Sequence, residues 1–309
     1  MRIVFMGTPD FALFSLRALI EAGEQVVGVI TQPDKPKGRG YTLTPPPVKV
    51  YAEERGIPVF QPERVRDGSF DDTLRSLAPD VCVVAAYGKI LPQSMLDIPK
   101  HGCFNIHGSL LPEYRGAAPM QRAIIDGKAV TGVTIQQMAA GMDTGDILVM
   151  RETEIGENDN FEDIHDRLGV LGAEAILEAI AQLREGKLNP VPQDESLATY
   201  AAKIEKADCV LDFTRTARQL HDQIRGMSPF PLAFTRLPSG SMLKVTHACV
   251  ADESSEGEAG KVVSLEDGIE VQCGKGRLRL LGVLPEGKGR MAAVDFVRGR
   301  KIAVGDILK

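Results

Sequence analysis

The sequence predicts an α/β protein: a doubly wound, mostly parallel, Rossmann-like sheet, followed by a small OB-like β-barrel. Three observations carry that expectation. Strand-like apolar runs alternate with helix-period segments through the first 186 residues, the pattern of strands joined by crossover helices. The early runs are apolar at nearly every position, as in strands covered on both faces. From about residue 208 the texture changes to short strands parted by glycine-rich turns, which suits a small barrel.

Taken in order, "RIVFMG" is a buried strand and "FALFSLRALIEAG" the helix behind it, closed by Gly23. "QVVGVI" is the second strand, "PPPVKVYAEERG" opens a helix behind a proline run, and "IPVF" is a short third strand. "DTLRSLA" is helical, and "DVCVVAAY" and "GCFNIH" are the next strands. "APMQRAIIDG" is a helix, "TGVTIQQM" and "DILVMRETEI" are strands, and "NFEDIHDRLGVLGAEAILEAIAQLREG" is a long amphipathic helix. The polar, proline-marked stretch "GKLNPVPQDESLATYAAKIEKAD" reads as a linker. Beyond it come the strands "CVLDFT", "PLAFTRL", "MLKVTHACV", "GKVVSL", "GIEVQCG" and "GRLRLLGVLP", with one helix, "RTARQLHDQIRGM". The expected domains are residues 1–189, a linker at 190–207, and the barrel at 208–309.

With 43% hydrophobic and 25% charged residues, the composition is that of a globular chain long enough for two cores. Five scattered cysteines (82, 103, 209, 249 and 273) offer no C-x-x-C pair, which speaks against disulfides and a structural zinc and suits a reducing cytoplasm. The first strand starts at once, so no signal peptide is expected, and no apolar run approaches a membrane span. Net charge is −6, yet residues 200–309 hold 17 basic against 14 acidic groups. Lys275 to Lys301 hold eight basic groups against Glu286 and Asp295. That asymmetry is either an uneven solvated surface or a face for a polyanion.

The first strand runs into Gly7-Thr8-Pro9 rather than G-x-G-x-x-G, and Pro9 lacks a backbone donor, so a dinucleotide is not expected there. Gly7 reads as a turn glycine and Pro9 as the first helical residue. The informative stretch is "CFNIHGSLLPEYRGAAP" (103–119). Side chains alternate along a strand, so Asn105 and His107 share a face at its tip. Nearby acids come from "AAGMDTGDIL", where Asp143 and Asp146 are either turn formers or, for Asp143, the acid of a site, with Gly141 and Gly145 permitting sharp bends. In open parallel sheets ligands bind at the carboxyl ends of strands, where Tyr87, the Asn105/His107 pair and the Gly141–Gly145 loop are expected.

"NIHGSLLPEYRGAAP" together with "GMDTGDI" closely resembles the folate-dependent formyltransferase family, and the likeness covers essentially the whole chain. The resemblance implies catalysis by Asn105, His107 and Asp143, with no metal. A formyl group would pass from 10-formyltetrahydrofolate to an amine. Asn105 and a charged His107 would stabilise the oxyanion, and Asp143, which favours the charged imidazole, would assist proton relay. The co-substrate would bind along Ser109, Leu110, Leu111 and Pro112, with Tyr87, Gly88 and Ile90 of "AYGKILP" and with Gly141. Arg115 is either structural or a contact for an anionic ligand group.

The stretches "MGTPDFA" and "TYAAKIEKAD" and the barrel resemble the branch of the family whose acceptor is initiator methionyl-tRNA. One departure is Phe230 in "SPFPLAF", where relatives often carry Trp. The segment "TQPDKPKGRGYTLTPPPVK" (31–49), which also holds Lys49, corresponds to that branch's tRNA-entering insertion. Lys35, Lys37 and Arg39, with Lys203 and Lys206 of the linker, would then contact tRNA phosphates. A monomer is expected. The alternatives are a formyltransferase acting on an amino-sugar nucleotide and a 10-formyltetrahydrofolate hydrolase.

Overall fold

The computed structural model describes residues 1–37 and 42–309. The chain divides into two compact units. The first comprises Met1–Gly116, Thr131–Thr153 and His165–Tyr200; the second comprises Ala117–Val130, Glu154–Ile164 and Ala201–Lys309. The stretch expected as a linker is therefore shared, up to Tyr200 by the first unit and from Ala201 by the second.

The first unit is built on a seven-stranded sheet. Its strands are β1 (Arg2–Gly7), β2 (Gln25–Ile30), β3 (Val59–Phe60), β4 (Val81–Ala85), β5 (Cys103–His107), β6 (Val130–Gln137) and β7 (Ile147–Glu154). Their order is β7-β6-β5-β4-β1-β2-β3. Strands β1 to β5 pair in parallel, and β6 runs antiparallel to β5. The order reverses between β1 and β4, the switch point that opens a crevice at the carboxyl ends of a doubly wound sheet. The register sets Val4 beside Cys82 and Met6 beside Val84, and in turn Cys103 beside Cys82 and Asn105 beside Val84. Val4, Met6, Cys82, Val84 and Cys103 pack with Phe70, Leu74 and Met95. This face carries the Asn105 side chain at its open end. On the other face Ile106 meets the helix Phe161–Arg184 at Gly172, where a Cβ would stand 2.9 Å from Ile106 Cγ2.

In the second unit six strands form an antiparallel, OB-like sheet: β8 (Ala233–Arg236), β9 (Met242–Asp252), β10 (Val262–Ser264), β11 (Ile269–Gln272), β12 (Arg277–Pro285) and β13 (Met291–Ala292). The order is β8-β9-β12-β11-β10, with β13 also on β12. Register shifts between β9 and β12 add the bend and twist that curl a sheet. Its core includes Leu220, Ile224, Val245, Val271, Leu280 and Phe296. Residues 117–130 join this unit through the helix Pro119–Ile125, whose Ile125 packs against that core and whose Arg122 pairs with Asp208 at 2.8 Å. Arg225 likewise holds residues 154–164 by donating to the carbonyls of Gly156 and Asp159.

Most elements fall where the sequence places them. The exceptions have local causes. "CVLDFT" is not a strand: Lys206–Cys209 is a short 3-10 turn, and only Val210 bridges, to Phe234. The Asp212 carboxylate accepts from the Thr214 backbone N–H and hydroxyl at 3.0 and 2.7 Å, and so turns the chain. The helix Ala293–Arg298 lacks a sequence expectation. Pro9 precedes the first helix, which starts at Asp10, rather than opening it. Part of the 31–49 segment is a hairpin, Lys35–Lys37 with Thr42–Thr44. Among the described residues no helix is long and apolar enough to cross a membrane.

Burial ranks the thiols. Cys82, Cys103, Cys209 and Cys273 are buried, and Cys249 is half-exposed. Burial pushes the Cys273 thiol up to about 11 and raises Cys82 well above the ordinary range. Because the thiolate is the reactive form, an alkylating reagent at pH 8 should label Cys249 first and the other four only on unfolding. Peptide mapping by mass spectrometry checks this, and early labelling of Cys82 would contradict the core assignment.

Candidate active site

The switch-point ends are tied together by polar groups. The Tyr87 carbonyl accepts from Thr8 Oγ1 at 3.1 Å and from Gln32 Nε2 at 2.9 Å, so the chain segments leaving β1, β2 and β4 converge on one oxygen. Gln61 in turn donates to the Gln32 carbonyl and to Asp34, and Lys49 pairs with Asp34 at 2.9 Å. These bonds hold the Asp34 carboxyl below the usual carboxylate range. Lys49 is therefore engaged at the base of the 31–49 segment.

Asn105 and His107 lie on one face of β5, and the β6 partners opposite them are Gln136 and Thr134. The Asn105 side chain is half-buried and has no hydrogen-bond partner among the described residues. His107 is buried, with Nε2 at 3.0 Å from the Tyr114 carbonyl oxygen. A carbonyl only accepts, so Nε2 carries the hydrogen and Nδ1 is the ring atom left for chemistry. Nδ1 lies 3.7 Å from Asp143 Oδ2, charge-pair range but beyond a hydrogen bond.

Asp143 arrives by an indirect path. Its loop leaves the sheet at Gln137, which is paired with Phe104 at the amino side of Asn105, rather than at the carboxyl ends of the strands. The loop then folds back so that Asp143 reaches the site. Asp143 sits in the left-handed region with φ 52°. Its Oδ2 accepts from the Gly116 N–H at 2.9 Å and its Oδ1 from Gln136 Nε2 at 2.8 Å. Gln136 is 1% exposed, and its Oε1 is buried without a partner.

The loop after His107 is pinned from several sides. Ser109 Oγ donates to the Glu113 carbonyl at 2.6 Å. Thr134 Oγ1 donates to the Ser109 carbonyl at 2.7 Å and accepts from the Leu111 N–H at 3.1 Å. Ser109 and Leu111 are thus buried, while Leu110 and Pro112 remain half-exposed. Residues 191–199 return over this loop. Val191 pairs with Ile147, Gln193 donates to the carbonyls of Asp143 and Gly145, and Thr199 bonds the backbone of Pro112, Tyr114 and Arg115. Arg115, 1% exposed, pairs with Glu195 at 2.8 Å, so its charge is met within the chain. That ion pair raises the Arg115 guanidinium and lowers the Glu195 carboxyl.

Among the other residues singled out by sequence, Gly88 is exposed with φ 78°, and Ile90 is 61% exposed. Gly141 is exposed beside Met142, which is also 61% exposed. The Tyr87 side chain is 2% exposed and lies in the core, where burial pushes its phenol up to about 12. Only its backbone stands at the crevice. Lys35 is exposed and donates to Gln32 Oε1; Lys203 and Lys206 are exposed. The backbone of Lys37 closes the hairpin, and Arg39 lies outside the described residues. A separate cavity of about 550 Å³, bordered by Leu96, His101, Phe104, Gln137 and Leu183, contains none of Asn105, His107 and Asp143. No cluster of three or more His, Cys, Asp or Glu able to hold a metal occurs among the described residues.

Sequence reasoning missed Gln136, Gln193, Thr134 and Glu195. Gln136 and Thr134 had a readable signal, since polar residues two apart in a buried strand face the same way as the pair opposite. Gln193 had none, because its partner lies 50 residues earlier in the chain.

Residues 1–180 match the family model described as Formyl transferase, and residues 203–301 match Formyl transferase, C-terminal domain. The chain belongs to the formyl transferase family. Its relatives narrow that class to the methionyl-tRNA formyltransferases. A protein of that name from Citrifermentans bemidjiense is 49% identical over 309 residues, covering 100% of this chain and 96% of the relative. Another, from Bacillus licheniformis, is 47% identical, covering 98% and 96%. Among solved structures, an N-formyltransferase from Helicobacter canadensis in complex with folinic acid and dTDP-3-aminofucose has a TM-score of 0.70 at 18% identity, covering 91% of this chain and 98% of that one. HypX from Aquifex aeolicus in complex with tetrahydrofolic acid has a TM-score of 0.64 at 18% identity, covering 97% and 47%. At that identity both likenesses establish the fold.

The return of the Asp143 loop depends on Gly145, where a Cβ would stand 1.6 Å from the Gln137 carbonyl oxygen. Gly145→Ala must displace backbone against backbone. Thermal unfolding should show a loss of about 1–3 kcal/mol, and formyl transfer should fall with it; a variant with parental stability and rate would contradict this geometry.

Proposed function

We propose that this protein transfers a formyl group from 10-formyltetrahydrofolate to the α-amino group of methionine on initiator methionyl-tRNA, in the cytoplasm and as a monomer. Residues 1–189 would supply the chemistry and residues 208–309 would bind tRNA. The observation that carries the reading is the geometry around His107: a ring nitrogen committed to Tyr114, the other facing Asp143 at 3.7 Å, and an unpaired Asn105 amide on the same strand face.

The residues present fit a folate donor. Ile90 and Met142 offer exposed apolar surface, and Gly88 leaves backbone uncovered. Gln136 Oε1 is a buried acceptor still needing a donor. The donor supplies the formyl carbon; the acceptor nitrogen bonds to it and the bond to N10 breaks. Charge develops on the formyl oxygen meanwhile; Asn105 Nδ2 donates to it, and the His107 ring, once protonated at Nδ1, adds its positive charge. An α-amino group has a reference pKa of roughly 7.7–8, so a usable fraction is neutral near pH 7 and no strong base is needed. His107 Nδ1 takes the proton that the attacking nitrogen sheds and delivers it toward the departing N10, while Asp143 stabilises the charged ring between those steps. The proton count closes without a metal or a covalent enzyme intermediate.

Acceptor choice rests on charge. Lys35, Lys203 and Lys206 are exposed, and Lys37 and Arg39 complete the expected set. Of the Lys275–Lys301 cluster, Arg277 and Arg279 pair with Glu270 and Arg298 with Asp295. Lys275, Lys288, Arg290, Arg300 and Lys301 are exposed without an acidic partner among the described residues. They are the cations free to replace counterions along a phosphate backbone.

With labelled formyl donor, the protein should label charged initiator tRNA in preference to charged elongator tRNA and leave an amino-sugar nucleotide unlabelled. Asn105→Ala and His107→Ala should each lower kcat about 100- to 1,000-fold while the far-ultraviolet spectrum is unchanged. Label on the sugar alone, or formate release without any acceptor, would replace this reading with one of the other two activities.

A further inference from the structure

We infer that Gln193, clamped by Arg115, is a positioning residue for Asp143. The inference rests on the reading that Asp143 assists proton transfer. Every hydrogen-bonding position of the Gln193 amide is filled. Its Nε2 donates to the Asp143 carbonyl at 2.8 Å and to the Gly145 carbonyl at 2.6 Å. Its Oε1 accepts from Arg115 Nε at 3.1 Å and Nη2 at 2.8 Å. Arg115 is 1% exposed, and it turns Nη1 and Nη2 to Glu195, each at 2.8 Å.

That arrangement removes any freedom to flip. A guanidinium only donates, so it must face the amide oxygen, which delivers the NH₂ group to the two carbonyls. A carboxylate at 193 could meet Arg115 but would set negative oxygens against those carbonyls, and an apolar side chain would meet neither. The carbonyls need this partner because the backbone between them is unusual: Asp143 is left-handed at φ 52°, and Gly145 abuts the Gln137 carbonyl. Without the donor, two acceptors in a tight turn lose their partner, and the turn relaxes. Gln136 and Gly116 hold the carboxylate, and Gln193 holds the peptide that carries it. The returning segment thereby sets the distance between Asp143 and His107, although it contributes no group to the reaction.

A double-mutant cycle separates positioning from general stability. Gln193→Glu keeps the bond to Arg115 and loses both donations; Gln193→Leu loses all four bonds. Each is combined with Asp143→Asn, and formylation of charged initiator tRNA is followed in the 309-residue protein alongside thermal unfolding. Each single change should lower kcat about 100-fold with little change in KM for the folate donor. In the Asp143→Asn background the same changes should add no more than about twofold. Full multiplication of the losses, unchanged kcat in the single variants, or unfolding of both Gln193 variants would each overturn the proposal. If Asp143→Asn alone formylated at the parental rate, the reading beneath it would fall instead.

Discussion

The site depends on a carboxylate held where an unconstrained chain would not leave it. Asp143 lies beyond the amino side of Asn105 in the path of the chain, in a left-handed conformation. A non-glycine residue at positive φ is uncommon, although Asp tolerates it better than most. Two donors fix its carboxylate and a third holds its carbonyl. The 3.7 Å separation from His107 is then a property of the fold rather than of one flexible side chain. Preorganisation of this kind avoids reorienting dipoles as charge develops.

The same constraint explains the polar character of β6. A strand between two others in a sheet is ordinarily apolar on its covered face, yet here it presents Thr134 and Gln136, both essentially buried. Both side chains are engaged in holding loops, since Thr134 fixes the Ser109–Leu111 turn and Gln136 fixes Asp143. His107 is similarly committed through Nε2 to Tyr114, which leaves Nδ1 turned toward Asp143. The sheet therefore supplies Asn105 and His107 and also the polar groups that hold the loops, one of which brings Asp143 to them.

Legibility from sequence followed the range of the interaction. β1, β2 and β4 were readable because a strand covered on both faces leaves a near-continuous apolar run. The Ala217–Gly226 helix falls within "RTARQLHDQIRGM", and the structure opens it on a capping box of Thr216 with Gln219. Asn105 and His107 were visible as a same-face pair because strand alternation is local. The contribution of residues 117–130 to the second unit was not visible, since it arises from Ile125 meeting a core assembled from residues beyond 208. The 190–207 stretch reads as polar linker for a similar reason. Gln193, Glu195 and Thr199 have partners 78 or more residues away in the 112–116 loop, and no local pattern marks such pairs. Tyr87, expected at the carboxyl ends of the strands, brings its carbonyl there to accept from Thr8 and Gln32, while its ring packs in the core.

Charge counts carry a related lesson. Residues 200–309 contain a small basic excess, but the field they create depends on which cations are already neutralised. Arg277 and Arg279 share Glu270 within the sheet, and Arg298 closes on Asp295 one helical turn away. These pairs remove three guanidinium groups from the surface available to an anion. The Lys275, Lys288, Arg290, Arg300 and Lys301 side chains remain, each exposed and without an acidic partner among the described residues. Such groups match a phosphate backbone by position rather than by base identity. Discrimination among acceptors must therefore draw on groups other than these cations, because a surface of solvated charges attracts every tRNA alike.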